Sequence, residues 1–176
     1  MADALEMARV AVEGGVTTLV CTPHLNAAHP NTLGALVDVL PLVRAELDRA
    51  GIPLTLLPGA EIAFDQVAGL DDDALSAASL GGGGRWLLLE LPFAGWPLGI
   101  PQALSRLEMR GFGVVIAHPE RADAIQRAPD RLRDLVGRGA LVQVTACSLT
   151  GDHGPRARRA AVALLRSGFV HFLASD

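Results

Sequence analysis

Lysine and tyrosine do not occur in this chain of 176 residues, and all 15 of its basic residues are arginine. Without lysine there is no Walker A lysine, no Schiff-base or pyridoxal-phosphate lysine and no kinase lysine to pair with ATP phosphates, so those enzyme classes are excluded. Aromatic residues make up only 4% of the chain, and the two cysteines, Cys21 and Cys147, are too few for a disulfide framework. Long apolar runs are missing as well. Trp86-Leu87-Leu88-Leu89 is interrupted by Glu90, far short of the roughly 18 residues that span a bilayer. No block of five like charges occurs, and 19 acidic residues against 15 arginines leave a net charge of −4. That balance argues against a nucleic-acid partner. The opening Met1-Ala2-Asp3-Ala4-Leu5-Glu6 lacks the basic-then-apolar layout of a signal peptide. The expectation is a soluble, cytoplasmic protein with no direct membrane insertion.

What is present alternates. The length fits a single domain over residues 1–176. Leu5, Ala8 and Val12 share a helical face that stops at Gly14-Gly15, and Val16–Cys21 reads as a strand ended by Pro23. Leu33, Leu36, Val37, Leu40 and Leu47 give a helix up to Gly51 that Pro41 is expected to kink or split. Pro53–Leu57 reads as a strand. A less regular stretch follows through Asp71-Asp72-Asp73 and the four glycines Gly81–Gly84, which read as a flexible turn. Strands at Trp86–Leu89, Val114–Ala117, Leu141–Val144 and Phe169–Ala174 then alternate with helices at Pro101–Gly111, Asp130–Arg138 and Pro155–Ser167. Near-continuous apolar strands between amphipathic helices imply an α/β fold with a covered parallel sheet, doubly wound or barrel-like.

Barrel enzymes place their chemistry at the C-terminal rim of the strands, and five of the six expected strand ends carry metal-ligand types: His24, Glu61, Glu90, His118 and Asp176. The sixth ends at Thr145. The bland alternatives are a capping or hydrogen-bonded histidine for His24 and His118, a buried paired carboxylate for Glu90 and a solvated residue for Asp176, but imidazoles and carboxylates converging from separate strands form the ligand set of a divalent, hydrolytic metal cluster of zinc, manganese or iron. The nucleophile would then be water. In His118-Pro119-Glu120-Arg121, the arginine can reach a substrate oxyanion in a bidentate fork. This makes Arg121 a catalytic candidate and phosphate-ester hydrolysis the leading reaction; its bland alternative is a surface ion pair with Glu120 or Asp123. A cysteine-dependent tyrosine phosphatase needs Cys-x5-Arg, and neither cysteine satisfies it, since Ala27 and His153 stand at that spacing. His29, His153 and His171 are weaker candidates, and His171, placed within the last expected strand on the face opposite Asp176, reads as structural.

Taken together, the run Ala8–His24, Pro58-Gly59-Ala60-Glu61-Ile62, Glu90-Leu91-Pro92-Phe93, Ile116-Ala117-His118-Pro119-Glu120-Arg121 and His171–Asp176 resemble the bacterial manganese-dependent protein-tyrosine phosphatases of the CpsB/CapC type. These belong to the polymerase and histidinol phosphatase (PHP) superfamily. The resemblance implies a distorted TIM-like (PHP) barrel, a di- or trinuclear cluster usually taken as manganese, and hydrolysis of phosphotyrosine on a tyrosine autokinase of capsule or exopolysaccharide synthesis. It matches His24, Glu61, Glu90, His118 and Asp176 to metal ligands, and Arg121 to a phosphate-binding arginine.

The family pattern also begins with a strand bearing Asp-x-His-x-His and continues past the Ser-Asp pair with Ala-His, a further arginine and a helix. Neither part is in these 176 residues. The expectation is a barrel incomplete at its N- and C-terminus, a gene fragment or mis-started reading with weak metal loading. A histidinol-phosphatase-like phosphoesterase and a catalytically inactive fragment are the alternatives.

Overall fold

The computed structural model describes residues 1–29 and 31–176, with the side chain of Leu36 outside that description. The elements follow as α1 (Ala2–Glu13), β1 (Thr18–Val20), β2 (His24–Leu25), α2 (Leu33–Arg49), β3 (Thr55–Leu57), β4 (Glu61–Ala63), α3 (Asp72–Ala78), β5 (Trp86–Glu90), α4 (Ile100–Met109), β6 (Gly113–Ala117), α5 (Asp123–Arg127), α6 (Arg131–Gly137), β7 (Leu141–Thr145), α7 (Ala146–Thr150), α8 (Gly154–Arg166) and β8 (Phe172–Ala174). All strand pairs are parallel. One sheet has six strands in the order β2-β4-β5-β6-β7-β8, and a second pairs β1 with β3. Among the described residues no ladder joins β8 back to β1 or β2, so the observed architecture is a mixed α/β fold on parallel sheets with the circuit open.

Val16–Cys21 holds β1 and ends before Pro23 as expected, and Pro53–Leu57 holds β3, but after each break the chain forms a further short strand, β2 beyond Pro23 and β4 beyond Pro58-Gly59. Proline removes a ladder donor. The two breaks also lie side by side, since a Cβ on Gly59 would approach Val20 Cγ1 to 3.0 Å. Pro41 does not split α2, which runs unbroken through it. Pro41 and Val37 are both exposed, so the carbonyl that loses its helical partner is on the solvent side. Asp71 caps α3, its side chain accepting from the Ala74 amide at 2.8 Å, which supplies a helix where the sequence looks irregular. Gly81, Gly82 and Gly84 take positive φ, but the turn is tied down: Gly81 N–H donates to the Pro58 carbonyl at 2.8 Å and Gly84 N–H to Ser79 Oγ at 2.7 Å.

Side-chain alternation along the sheet separates two faces. Leu87, Leu89, Val114 and Ile116 pack with Ile100, Leu104, Leu107, Leu132 and Leu135 from the covering helices. Leu88, Val115 and Ala117 form a separate cluster on the other face. Glu90 has the parity of Leu88, so it continues that second face to the C-terminal edge of the sheet.

Candidate metal centre

Register explains why the candidate ligands meet. His24 pairs with Glu61 across β2 and β4, and Ala63 with Glu90 across β4 and β5. Partners in a parallel ladder stand side by side and point to the same face. His24 and Glu61 therefore lie together, with Nδ1 to Oε1 at 3.5 Å, and Glu90 Oε2 is 3.9 Å from the same Nδ1. From β6 the chain turns sharply at His118, whose φ of +28° and ψ of +51° lie outside the usual right-handed regions. That conformation is uncommon for a side-chain-bearing residue and is found at sites whose surroundings enforce it. It brings Nε2 to 2.9 Å from Glu61 Oε1 and 3.7 Å from Glu90 Oε1.

Two groups of ligand atoms result, His24/Glu61/Glu90 and Glu61/His118/Asp176, each with its atoms within 4.8 Å of one another. Glu61, only 2% exposed, belongs to both. All five sequence candidates thus converge. Burial, and then the charge of Glu61, raise the Glu90 carboxyl above its ordinary value against the pull of His118 and His24. For His118, burial lowers the pKa, but the hydrogen bond and charge of Glu61 and the charge of Asp176 outweigh it, and the net shift is upward. The arrangement has an excess of buried negative charge that a cation would relieve. His24 supplies the fit test: its Nδ1 is buried and makes no hydrogen bond, although carboxylates flank it. A divalent ion suits that imidazole and oxygen donor set.

Arg121 lies on the border of this cluster. It sits in the turn Pro119–Arg121, with Nη1 3.4 Å from Asp176 Oδ2 and its guanidinium 4.7 Å from the centre of the Phe93 ring. The ion-pair alternatives do not hold. Asp123 engages Arg127 at 2.8 Å, and Glu120 is fully buried and faces away, accepting from the Thr145 amide at 3.1 Å and the Ser148 hydroxyl at 2.7 Å. Thr145, the strand end without a ligand type, donates its hydroxyl to Asp176 Oδ2 at 3.1 Å.

Glu120, Thr145, Ser148 and Phe93 are the residues that sequence reasoning left without a role. Phe93 and Glu120 carried a signal by standing inside short motifs and Thr145 by ending the sixth strand, whereas Ser148 carried none. Of the remaining histidines, His29 stacks on His24 with ring centres 5.2 Å apart, nearer the cluster than expected. His153 bonds Ser148 Oγ at 3.1 Å, and His171 Nδ1 accepts from the Val142 amide at 3.1 Å.

Comparison with known proteins bears on the same geometry. The chain is 35% identical over 176 residues to the tyrosine-protein phosphatase YwqE of Bacillus subtilis, covering 99% of this chain and 69% of that protein. It is 24% identical over 180 residues to the tyrosine-protein phosphatase CpsB of Streptococcus agalactiae, covering 99% and 74%. A solved chain from work on YwqE of Bacillus subtilis and CpsB of Streptococcus pneumoniae, described as unique metal-dependent tyrosine phosphatases, superposes with a TM-score of 0.88 at 35% identity. That match covers 99% of this chain and 71% of the other. With the family profile for capsular polysaccharide synthesis, CpsB/CapC, matching residues 1–176, the chain belongs to the CpsB/CapC family.

Proposed function

We propose that the chain is a metal-dependent protein-tyrosine phosphatase that hydrolyses phosphotyrosine on a bacterial tyrosine autokinase of capsule or exopolysaccharide synthesis. The family's tie to capsular polysaccharide and the names of its relatives support that substrate class. The observation that carries the reading is a guanidinium stacked on an aromatic ring beside two ligand triads that share one carboxylate.

His24, Glu61, Glu90, His118 and Asp176 are the residues that would hold a di- or trinuclear cluster, manganese first, with iron or zinc also compatible with the donors. When bound, such ions supply a water of lowered pKa and positive charge against the phosphoryl oxygens. Arg121 offers two parallel N–H donors to those oxygens in a planar fork that matches a phosphate. Phe93 holds the guanidinium flat and walls the His118 side, its ring centre 5.9 Å from that imidazole. Thr145 fixes the Asp176 carboxylate. A thiol route lacks support. Burial pushes the Cys21 thiol up against the pull of Arg44, which disfavours the thiolate.

We read residues 1–176 as one domain, part of a distorted PHP-type barrel in a cytoplasmic setting. No helix among the described residues is long and apolar enough to cross a membrane.

The test is side-by-side hydrolysis of a phosphotyrosine peptide and histidinol phosphate by the manganese-loaded chain. Preferential turnover of the peptide is expected, falling at least about 100-fold in Glu61→Gln and His118→Ala. Preference for histidinol phosphate would replace this reading with another PHP-superfamily phosphoesterase. Bound metal without turnover of either would leave a non-catalytic binding protein.

A further inference from the structure

A second charged feature lies beside Arg121. Asp123, Gln126, Arg127, Arg156 and Arg159 line a cleft of about 380 Å³ between α5 and α8. It is coupled to the site through its wall. Gln126 Nε2 donates to the backbone carbonyls of Glu120 at 3.0 Å and Arg121 at 3.4 Å. Asp123 Oδ1 accepts from the Gly95 amide at 2.9 Å, and the Asp123 amide donates to the Phe93 carbonyl at 2.8 Å. The cleft and the Arg121–Phe93 pair are thus held by one set of loops at the C-terminal ends of the strands.

Its charge is lopsided. Three guanidinium groups meet one carboxylate, and that carboxylate already serves Arg127 at 2.8 Å. Burial pushes Asp123 up, but hydrogen bonds from Arg127, Gly95 and Ala124 and the charge of Arg127 bring its pKa below the usual value, so it stays anionic. Arg156 and Arg159 form no ion pair among the described residues, and both are exposed. Arg156 also stands where helix electrostatics disfavours it. α8 opens Gly-Pro-Arg with no acidic residue in its first turn, placing a cation at the positive end of the helix dipole, where carboxylates are the stabilising choice. A local rule broken without a compensating contact inside the fold points to a partner outside it.

We propose that this cleft is an exosite for the anionic flank of the protein substrate, carboxylates or a second phosphate near the phosphotyrosine held by Arg121. The identity of the partner rests on the phosphatase reading; the anion site itself does not. Nucleic acid is the less favoured occupant, because three arginines on a chain of net charge −4 make too small a basic footprint.

The experiment compares three phosphotyrosine peptides, with glutamate flanks, with a second phosphotyrosine and with neutral flanks, alongside p-nitrophenyl phosphate. The proteins are the manganese-loaded chain and its Arg156→Glu/Arg159→Glu and Arg166→Glu variants. For the two anionic peptides the double variant should raise KM about 3- to 20-fold, leaving kcat, the neutral peptide and p-nitrophenyl phosphate unchanged. A larger effect on the doubly phosphorylated peptide would name phosphate as the occupant. Arg166→Glu, at the far end of the same helix, should behave as the parent.

Fluorescence anisotropy of a labelled glutamate-rich peptide without phosphotyrosine reads the cleft independently of turnover, and its binding should be lost in the double variant. If no phosphotyrosine is hydrolysed but this binding is seen and lost, the phosphatase reading fails and the anion site stands. Equal handling of acidic and neutral peptides by the parent, a loss equal in Arg166→Glu, or tighter binding of a single-stranded oligonucleotide than of the acidic peptide would each overturn the exosite.

Discussion

A buried carboxylate with no ion-pair partner among the described residues is among the costlier side chains a fold can hold, and Glu120 is one. One oxygen takes the Thr145 amide and the Ser148 hydroxyl, while Oε2 makes no hydrogen bond. What it secures is a chain of contacts: Glu120 fixes the end of β7, Thr145 there bonds Asp176, and Asp176 meets Arg121. Glu120→Ala should destabilise the protein by about 1–3 kcal/mol, because it strands the buried Thr145 amide and leaves the Ser148 hydroxyl with His153 alone. The loss would appear in urea denaturation, and a change within about 0.5 kcal/mol would show that the network holds nothing.

The sequence could nominate Arg121 and the five ligand candidates because each stands just beyond an apolar run or inside a short motif. It could not give a supporting role to Glu120, although that residue shares a motif with Arg121, nor to Thr145 or Ser148. Their link spans 25 to 28 residues and depends on which way a short turn points a side chain.

Elements obey the same division between local and non-local information. The longer helices and strands were legible from periodicity with glycine and proline punctuation, and α4, β6, α6, β7 and α8 fall within about two residues of the expected limits, whereas the short α3, α5 and α7 were not read. The strands β2 and β4 were not legible either, because a proline ends a strand in the sequence without saying that a new strand, in another sheet, begins a few residues later. Pro41 misled in the other direction. A helix tolerates such a residue where the orphaned carbonyl faces water, and exposure is a tertiary fact. Pro41→Ala should restore the missing hydrogen bond of α2 and raise stability by about 1–2 kcal/mol, the gain reduced by a more flexible unfolded chain. Denaturant midpoints would register it. A lowered midpoint would mean that the proline packs against something that the exposed face does not reveal.

At the scale of the whole molecule, the site is supported from one side by a closely packed sheet and from the other by short loops, so an ion that binds the folded state should stabilise all of it. At a manganese concentration about 100 times its dissociation constant, linkage adds about 2.7 kcal/mol. For a chain of this size that corresponds to a rise in Tm of roughly 5–10 °C. A chelator should reverse the rise, and Glu61→Ala should abolish it. An unchanged melting curve at every manganese concentration would remove the metal from the account while leaving the fold intact.

Glu61 gives that titration a particular shape. A carboxylate that belongs to both triads cannot be committed to one without altering the other: drawing Oε1 toward His24 takes it from His118, now 2.9 Å away. Occupancy of the two halves is therefore thermodynamically linked, each changing the affinity of its neighbour by the same factor. The uptake curve should depart from a simple hyperbola, and Glu61→Gln should change its cooperativity as well as its midpoint.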